Sequence, residues 1–205
     1  MLKRIHMHWT AGADGIIPIE DDHYNFIVDR IGKVHNGKHP PEHQMPANVK
    51  KGSRFYAAHT LNANSYAIGI AMDAMAMAEE RPFNAGKYPI TPVQVEAFCK
   101  FIAHLCLLYD IPVSRETVLT HAEVQETLGI RQNNKWDIMW LPGMAAPQPA
   151  IFVGDILRSK ITGYINAVNY TQAVEHVPVK SVTGIKQTNW FASFVTAFIG
   201  LFRKR

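Results

Sequence analysis

Apolar and polar residues alternate over Lys3–His8, and that two-residue period predicts a strand. The small residues Thr10-Ala11-Gly12-Ala13-Asp14-Gly15 follow and predict a turn. Tyr24–Val28 and Lys33–His35 flank Arg30-Ile31-Gly32, the pattern of a hairpin. Gly37–Arg54, with Pro40, Pro41 and Pro46 among polar residues, reads as a long surface loop, a kind more often functional than idle. The unbroken apolar run Ala67–Met72 predicts a central strand. After Ile90 the period changes. Thr91 suits an N-cap, Pro92 the first helical position, and Gln94 completes a capping box. Val95, Phe98, Ile102, Leu105 and Tyr109 then recur at helical spacing, with Glu96 and Lys100 outside and Pro112 as terminator. Val118–Thr120 is a short extended segment leading into His121. Ile151–Val168 reads as a further helix, with Leu157, Ile161 and Ile165 on one face. Strands interleaved with helices in this order predict a compact α/β domain over residues 1–170, followed by a tail over 171–205.

Composition sharpens this picture. An apolar content of 47% in 205 residues supports one sizeable core, and 19% charged residues argues against extensive disorder. Charge is unevenly placed. Residues 1–150 hold 14 basic and 15 acidic groups, whereas 151–205 hold 7 and 2, so the net charge of +4 belongs to the C-terminal part. A near-neutral body without a basic, aromatic-laced patch is a poor nucleic-acid binder. Cys99 and Cys106 are too few for a disulfide-stapled scaffold, and about 10 Å of helix axis separates them, so they read as buried free thiols. The first residues carry two positive charges but no apolar signal core, which leads us to expect synthesis in the cytoplasm.

Ten histidines invite a search for ligands. His8 ends the first strand beside a Gly-containing turn, where α/β sheets expose functional side chains, and His6 shares its face. His121 follows an extended segment. Asp137, between Trp136 and Ile138, is a carboxylate in apolar surroundings that needs a partner, either a metal or Lys135. Two neutral imidazoles and one carboxylate form a ligand set for catalytic Zn²⁺ with a fourth position left for water. Lys135, two residues before Asp137, could set an ammonium near a developing oxyanion.

In order along the chain, five elements resemble the type-2 family of zinc-dependent N-acetylmuramoyl-L-alanine amidases, which includes phage endolysins and the related peptidoglycan recognition proteins. They are His8-Trp9-Thr10-Ala11-Gly12; His23-Tyr24-Asn25-Phe26-Ile27 with Gly32-Lys33-Val34; Ala58-His59-Thr60 with Asn64 and Ile68-Gly69-Ile70; the helix opened by Thr91 and Gln94; and His121-Ala122-Glu123-Val124 with Lys135-Trp136-Asp137. The resemblance implies a single domain with a central mixed β-sheet flanked by helices. It implies His8, His121 and Asp137 as zinc ligands, Tyr24 and Lys135 as a polar catalytic pair, and His59 and Asn64 as groove residues that bind substrate. The family's Lys-x-Asp-Pro-Gly ending departs here to Lys135-Trp136-Asp137-Ile138-Met139, with Pro142-Gly143 displaced. His6 has no family role, though in a shifted strand it could replace His8.

The implied activity is a peptidoglycan hydrolase of endolysin type, cutting the amide between N-acetylmuramic acid and L-alanine with a zinc-activated water. Two alternatives are a cytosolic amidase that recycles muropeptides and a non-catalytic peptidoglycan-binding module. Beyond the resemblance, Gln187–Phe202 has no charge and precedes Arg203-Lys204-Arg205. Its 13-residue apolar run would span about 20 Å as a helix, short of a bilayer, and suits an interfacial helix on an anionic membrane or one packed on protein.

Overall fold

The computed structural model describes residues 1–50 and 55–175, the side chains of 169–175 excepted. Met1–Asn169 forms one compact unit. The expected tail helix, Gln187–Phe202, lies outside the described residues, as does most of 171–205. Among the described residues no helix is long and apolar enough to cross a membrane.

Five strands make one mixed sheet: β1 (Arg4–Trp9), β2 (Phe26–Val28), β3 (Val34–Asn36), β4 (Ala67–Met72) and β5 (Val118–Thr120), in spatial order β3-β2-β4-β1-β5. β1 runs parallel to β4 and β5, and β2 parallel to β4; the β2–β3 hairpin is antiparallel. β4 is thus the middle strand, as its unbroken apolar run implies. The helices are α1 (Pro18–His23), α2 (Pro92–Tyr109), α3 (Val124–Leu128) and α4 (Ala150–Glu175), and Pro41–Gln44 forms a 3₁₀ turn within the long loop.

Strand alternation sorts the side chains by size. On one face Ile5, Met7 and Trp9 of β1 and Ile68, Ile70 and Met72 of β4 join Phe98, Ile102 and Leu105 of α2 and Val153, Leu157 and Ile161 of α4 in the main core. The other face of β4 has only Ala67, Gly69 and Ala71. A Cβ at Gly69 would lie 2.4 Å from the His59 ring, so that glycine admits the imidazole against the sheet.

The α2 cap is as expected. Thr91 Oγ1 accepts from the Gln94 backbone N–H at 3.1 Å, and Gln94 Oε1 accepts from the Thr91 N–H at 3.1 Å. The helix stops at Tyr109 rather than at Pro112, because Asp110 turns left-handed (φ 54°) and its N–H closes on the Cys106 carbonyl. Glu96 bonds to Lys160 and Tyr164 of α4. Cys99 and Cys106 are free and buried, and burial pushes both thiols up to about 12.

Candidate metal centre and cleft

Parallel pairing decides which residues meet at the sheet's C-terminal edge. Met7 is in register with Thr120, so the next residues, His8 and His121, emerge side by side at the ends of β1 and β5. Ligand sites in open α/β sheets favour this edge. The ring centroids lie 4.7 Å apart. Asp137 arrives from the loop after α3, and its Oδ2 lies 3.2 Å from the Nδ1 of each ring. One ligand atom from each residue falls within 4.8 Å of the others, and all three residues are buried.

The hydrogen bonds behind His121 say what this cluster can hold. The Gln132 amide nitrogen donates to the carbonyls of Leu61 (3.0 Å) and Ile130 (3.3 Å), which fixes the amide's orientation. Gln132 Oε1 is therefore the atom 3.0 Å from His121 Nε2, and it can only accept. Nε2 carries the ring proton, and the Nδ1 lone pair faces the carboxylate. A bare imidazole nitrogen and a carboxylate oxygen at this separation fit a shared cation, and the set suits zinc.

Ionisation agrees. Burial, opposed by the neighbouring Asp137, brings His8 down to about 4, so its ring is neutral at pH 7. At neutral pH an uncharged His8 is in the protonation state a metal requires.

His121 and Asp137 open onto a cleft of about 910 Å³ whose wall also includes Tyr24, His59, Asn64 and Lys135. His8 is wholly buried behind it. Tyr24 packs its ring 5.4 Å from His8 and donates its hydroxyl to the Trp9 carbonyl at 3.3 Å. Burial, then the Asp137 and Glu20 carboxylates, raise its phenol above the ordinary value, so it stays protonated. Lys135 is exposed on the cleft wall. Asn64 Oδ1 accepts from the backbone N–H groups of His59 (3.1 Å) and Thr60 (2.8 Å), so this side chain shapes its own loop as well as facing the cleft.

The structure thus brings His8, His121, Asp137, Tyr24, His59, Asn64 and Lys135 to one place. His6 does not join the ligand cluster; its Nδ1 meets Thr60 Oγ1 at 3.0 Å. The sequence alone assigns no role to two contributors, although Glu123 lies in the His121–Val124 element and stands at capping-box spacing from Thr120. Gln132 is found only through its bond to His121. Glu123, fully buried, accepts from the Thr120 N–H (2.7 Å) and from Arg158 of α4 (2.7 Å), fixing the turn that presents His121.

A family model for N-acetylmuramoyl-L-alanine amidase matches residues 2–143. No curated protein sequence matches the chain. Among solved structures, it is similar to the N-acetylmuramoyl-L-alanine amidase LysC from Clostridium intestinale URNW, at 18% identity and a TM-score of 0.44 over 78% of this chain and 85% of that one. It is also similar to the Drosophila peptidoglycan recognition protein SA, at 14% identity and a TM-score of 0.37 over 59% and 68%.

Proposed function

Because the chain belongs to the N-acetylmuramoyl-L-alanine amidase family, we propose that it hydrolyses peptidoglycan at the amide between the lactyl group of N-acetylmuramic acid and L-alanine, as a zinc enzyme of endolysin type. The observation that carries the reading is the convergence of His8 Nδ1, His121 Nδ1 and Asp137 Oδ2 at the cleft, with His121 and Asp137 lining it and His8 buried behind them. These three residues would hold the zinc ion. When bound, zinc supplies a Lewis acid and brings the pKa of a coordinated water to about 7.

The remaining chemistry belongs to side chains on the cleft wall. Lys135 puts a positive charge where the substrate carbonyl oxygen gains negative charge as water adds, and Tyr24, kept protonated, becomes a second donor when its hydroxyl turns from the Trp9 carbonyl to substrate. His59 and Asn64 bind along the groove. The endolysin role draws support from residues 187–205, whose apolar run ends in Arg203-Lys204-Arg205 and suits an anionic membrane surface. In this reading the protein is made in the cytoplasm and meets the wall after release. Co-sedimentation with anionic vesicles, lost at high salt and in a chain ending at Lys186, is the expected result for that contact.

The test of the main reading is metal analysis of the purified protein alongside digestion of purified sacculi. One zinc per chain, with release of L-alanine amino groups and no new reducing sugars, is expected. Sacculus binding without cleavage would replace the enzyme with a binding module.

A further inference from the structure

Three ring nitrogens surround the hydroxyl of Thr60: His59 Nδ1 at 2.8 Å, His6 Nδ1 at 3.0 Å and His8 Nε2 at 3.3 Å. That oxygen has one proton to give and two lone pairs to offer. How they are shared is decided on the far side of His59. His59 Nε2 lies 3.1 Å from the Ala67 carbonyl, which only accepts, so Nε2 bears the ring proton. The Gln44 amide nitrogen, 3.3 Å away, makes a shorter bond of 2.9 Å to the Ala57 carbonyl. A neutral His59 then has a bare lone pair at Nδ1.

The Thr60 proton goes to that lone pair, the shortest of the three contacts. Its two lone pairs remain for His6 and His8, and each ring must meet them with an N–H. His8 Nε2 is also 3.3 Å from His59 Nδ1, which has no proton to give, so neither neighbour there can donate to His8. The proton of His8 therefore sits on Nε2. His6 gives an independent check. Its Nε2 is buried without a partner, and in this assignment that atom is a lone pair, which is tolerated better than an orphaned N–H.

A competing arrangement exists. Asp137 Oδ2, 3.2 Å from His8 Nδ1, would welcome a proton on that nitrogen, and the lone pair needed for a metal would be lost. We propose that Thr60, oriented by His59 and the Ala67 carbonyl, is a positioning residue that holds His8 in its Nε2–H tautomer and so presents the Nδ1 lone pair to the metal position in advance. The inference rests on the metal-centre reading above. Thr60 is not one of the three ligand residues; it acts on the metal position through His8.

The experiment reads the tautomer in the zinc-free full chain, by long-range ¹H–¹⁵N correlation through the ring protons of His8. In the wild type Nε2 is expected to be protonated and Nδ1 bare. Thr60→Val keeps the shape but removes the hydroxyl, and should shift the His8 proton to Nδ1. Zinc affinity, measured by chelator competition, should fall about 10- to 100-fold, the usual effect of losing a group that orients a ligand. Thr60→Ser should restore both the spectrum and the affinity. A wild-type His8 protonated at Nδ1 would overturn the proposal without any variant having to fold. So would a Thr60→Val protein with the wild-type spectrum and affinity. Because the spectrum is recorded without zinc, a chain that binds no zinc would refute the metal reading separately.

Discussion

Lowering the pH from 7 to 5.5 should destabilise the zinc-free protein through three buried rings. Burial, reinforced by the charges of neighbouring histidines, depresses His6 and His59 well below their ordinary value, and His8 falls to about 4. In the unfolded chain the same rings titrate near 6.5. Between pH 6.5 and 4 the unfolded state therefore binds more protons than the native state, and stability must rise with pH and fall as acid is added. At pH 5.5 the unfolded rings are mostly protonated and the native ones are not. That difference is worth roughly 1 kcal/mol per ring and roughly 3–4 kcal/mol for all three, relative to pH 7. Such a loss is a large part of the 5–15 kcal/mol that holds typical domains together, and for a chain of this size amounts to roughly 10 °C in Tm. Glu20, Asp73 and Glu123, raised chiefly by burial, take up protons in the native state and oppose the trend. The comparison with His6→Gln isolates the histidines, because that variant should lose about a third of the pH slope whatever its absolute stability. Urea unfolding of zinc-free protein at both pH values is the assay. Equal free energies at pH 7 and 5.5, or an unchanged slope in His6→Gln, would refute the reasoning.

Lys135→Ala and Tyr24→Phe should each keep zinc yet lose on the order of 10²-fold in turnover on sacculi, since each removes a group that meets developing charge; wild-type rates in both would end the assignment. Gln132→Leu should lower zinc affinity about 10- to 100-fold by freeing the His121 ring, measured by chelator competition. Arg158→Met should cost about 3–5 kcal/mol in urea unfolding, because it leaves the fully buried Glu123 carboxylate without its partner. Glu123→Gln in the same chain should recover part of that loss, because the stranded charge is gone.

Local patterns reveal whatever depends on near neighbours in the chain. The Thr91–Gln94 capping box and the hairpin around Ile31 rest on contacts a few residues apart, the strand Ala67–Met72 is marked by its own apolar run, and all three lie where the pattern puts them. α1 escapes such reading. It is six residues long, and its N-cap position is Ile17, which has no side-chain oxygen to signal it; Pro18 and Glu20 are its only marks. The ligand set is suggested by residue type and ordered by resemblance, but its meeting depends on strand register, Met7 opposite Thr120, which no spacing encodes. Gln132 and Thr60 are less legible still. Their roles depend on which atom of a ring they touch, and a polar residue in a loop looks the same whichever nitrogen it faces.

Arg158 bears on where such a domain can be cut. The family match ends at residue 143, yet the guanidinium that secures the turn before His121 comes from α4, fifteen residues later. Gly154, one turn before it, leaves the space the Glu123 carboxylate occupies, since a Cβ there would lie 2.2 Å from it. A fragment or fusion designed on the matched stretch would sever this clamp and strand a buried charge two residues from His121. For anyone transplanting this module, the functional border falls beyond Arg158, and the compact unit ending at Asn169 is the smallest sensible piece.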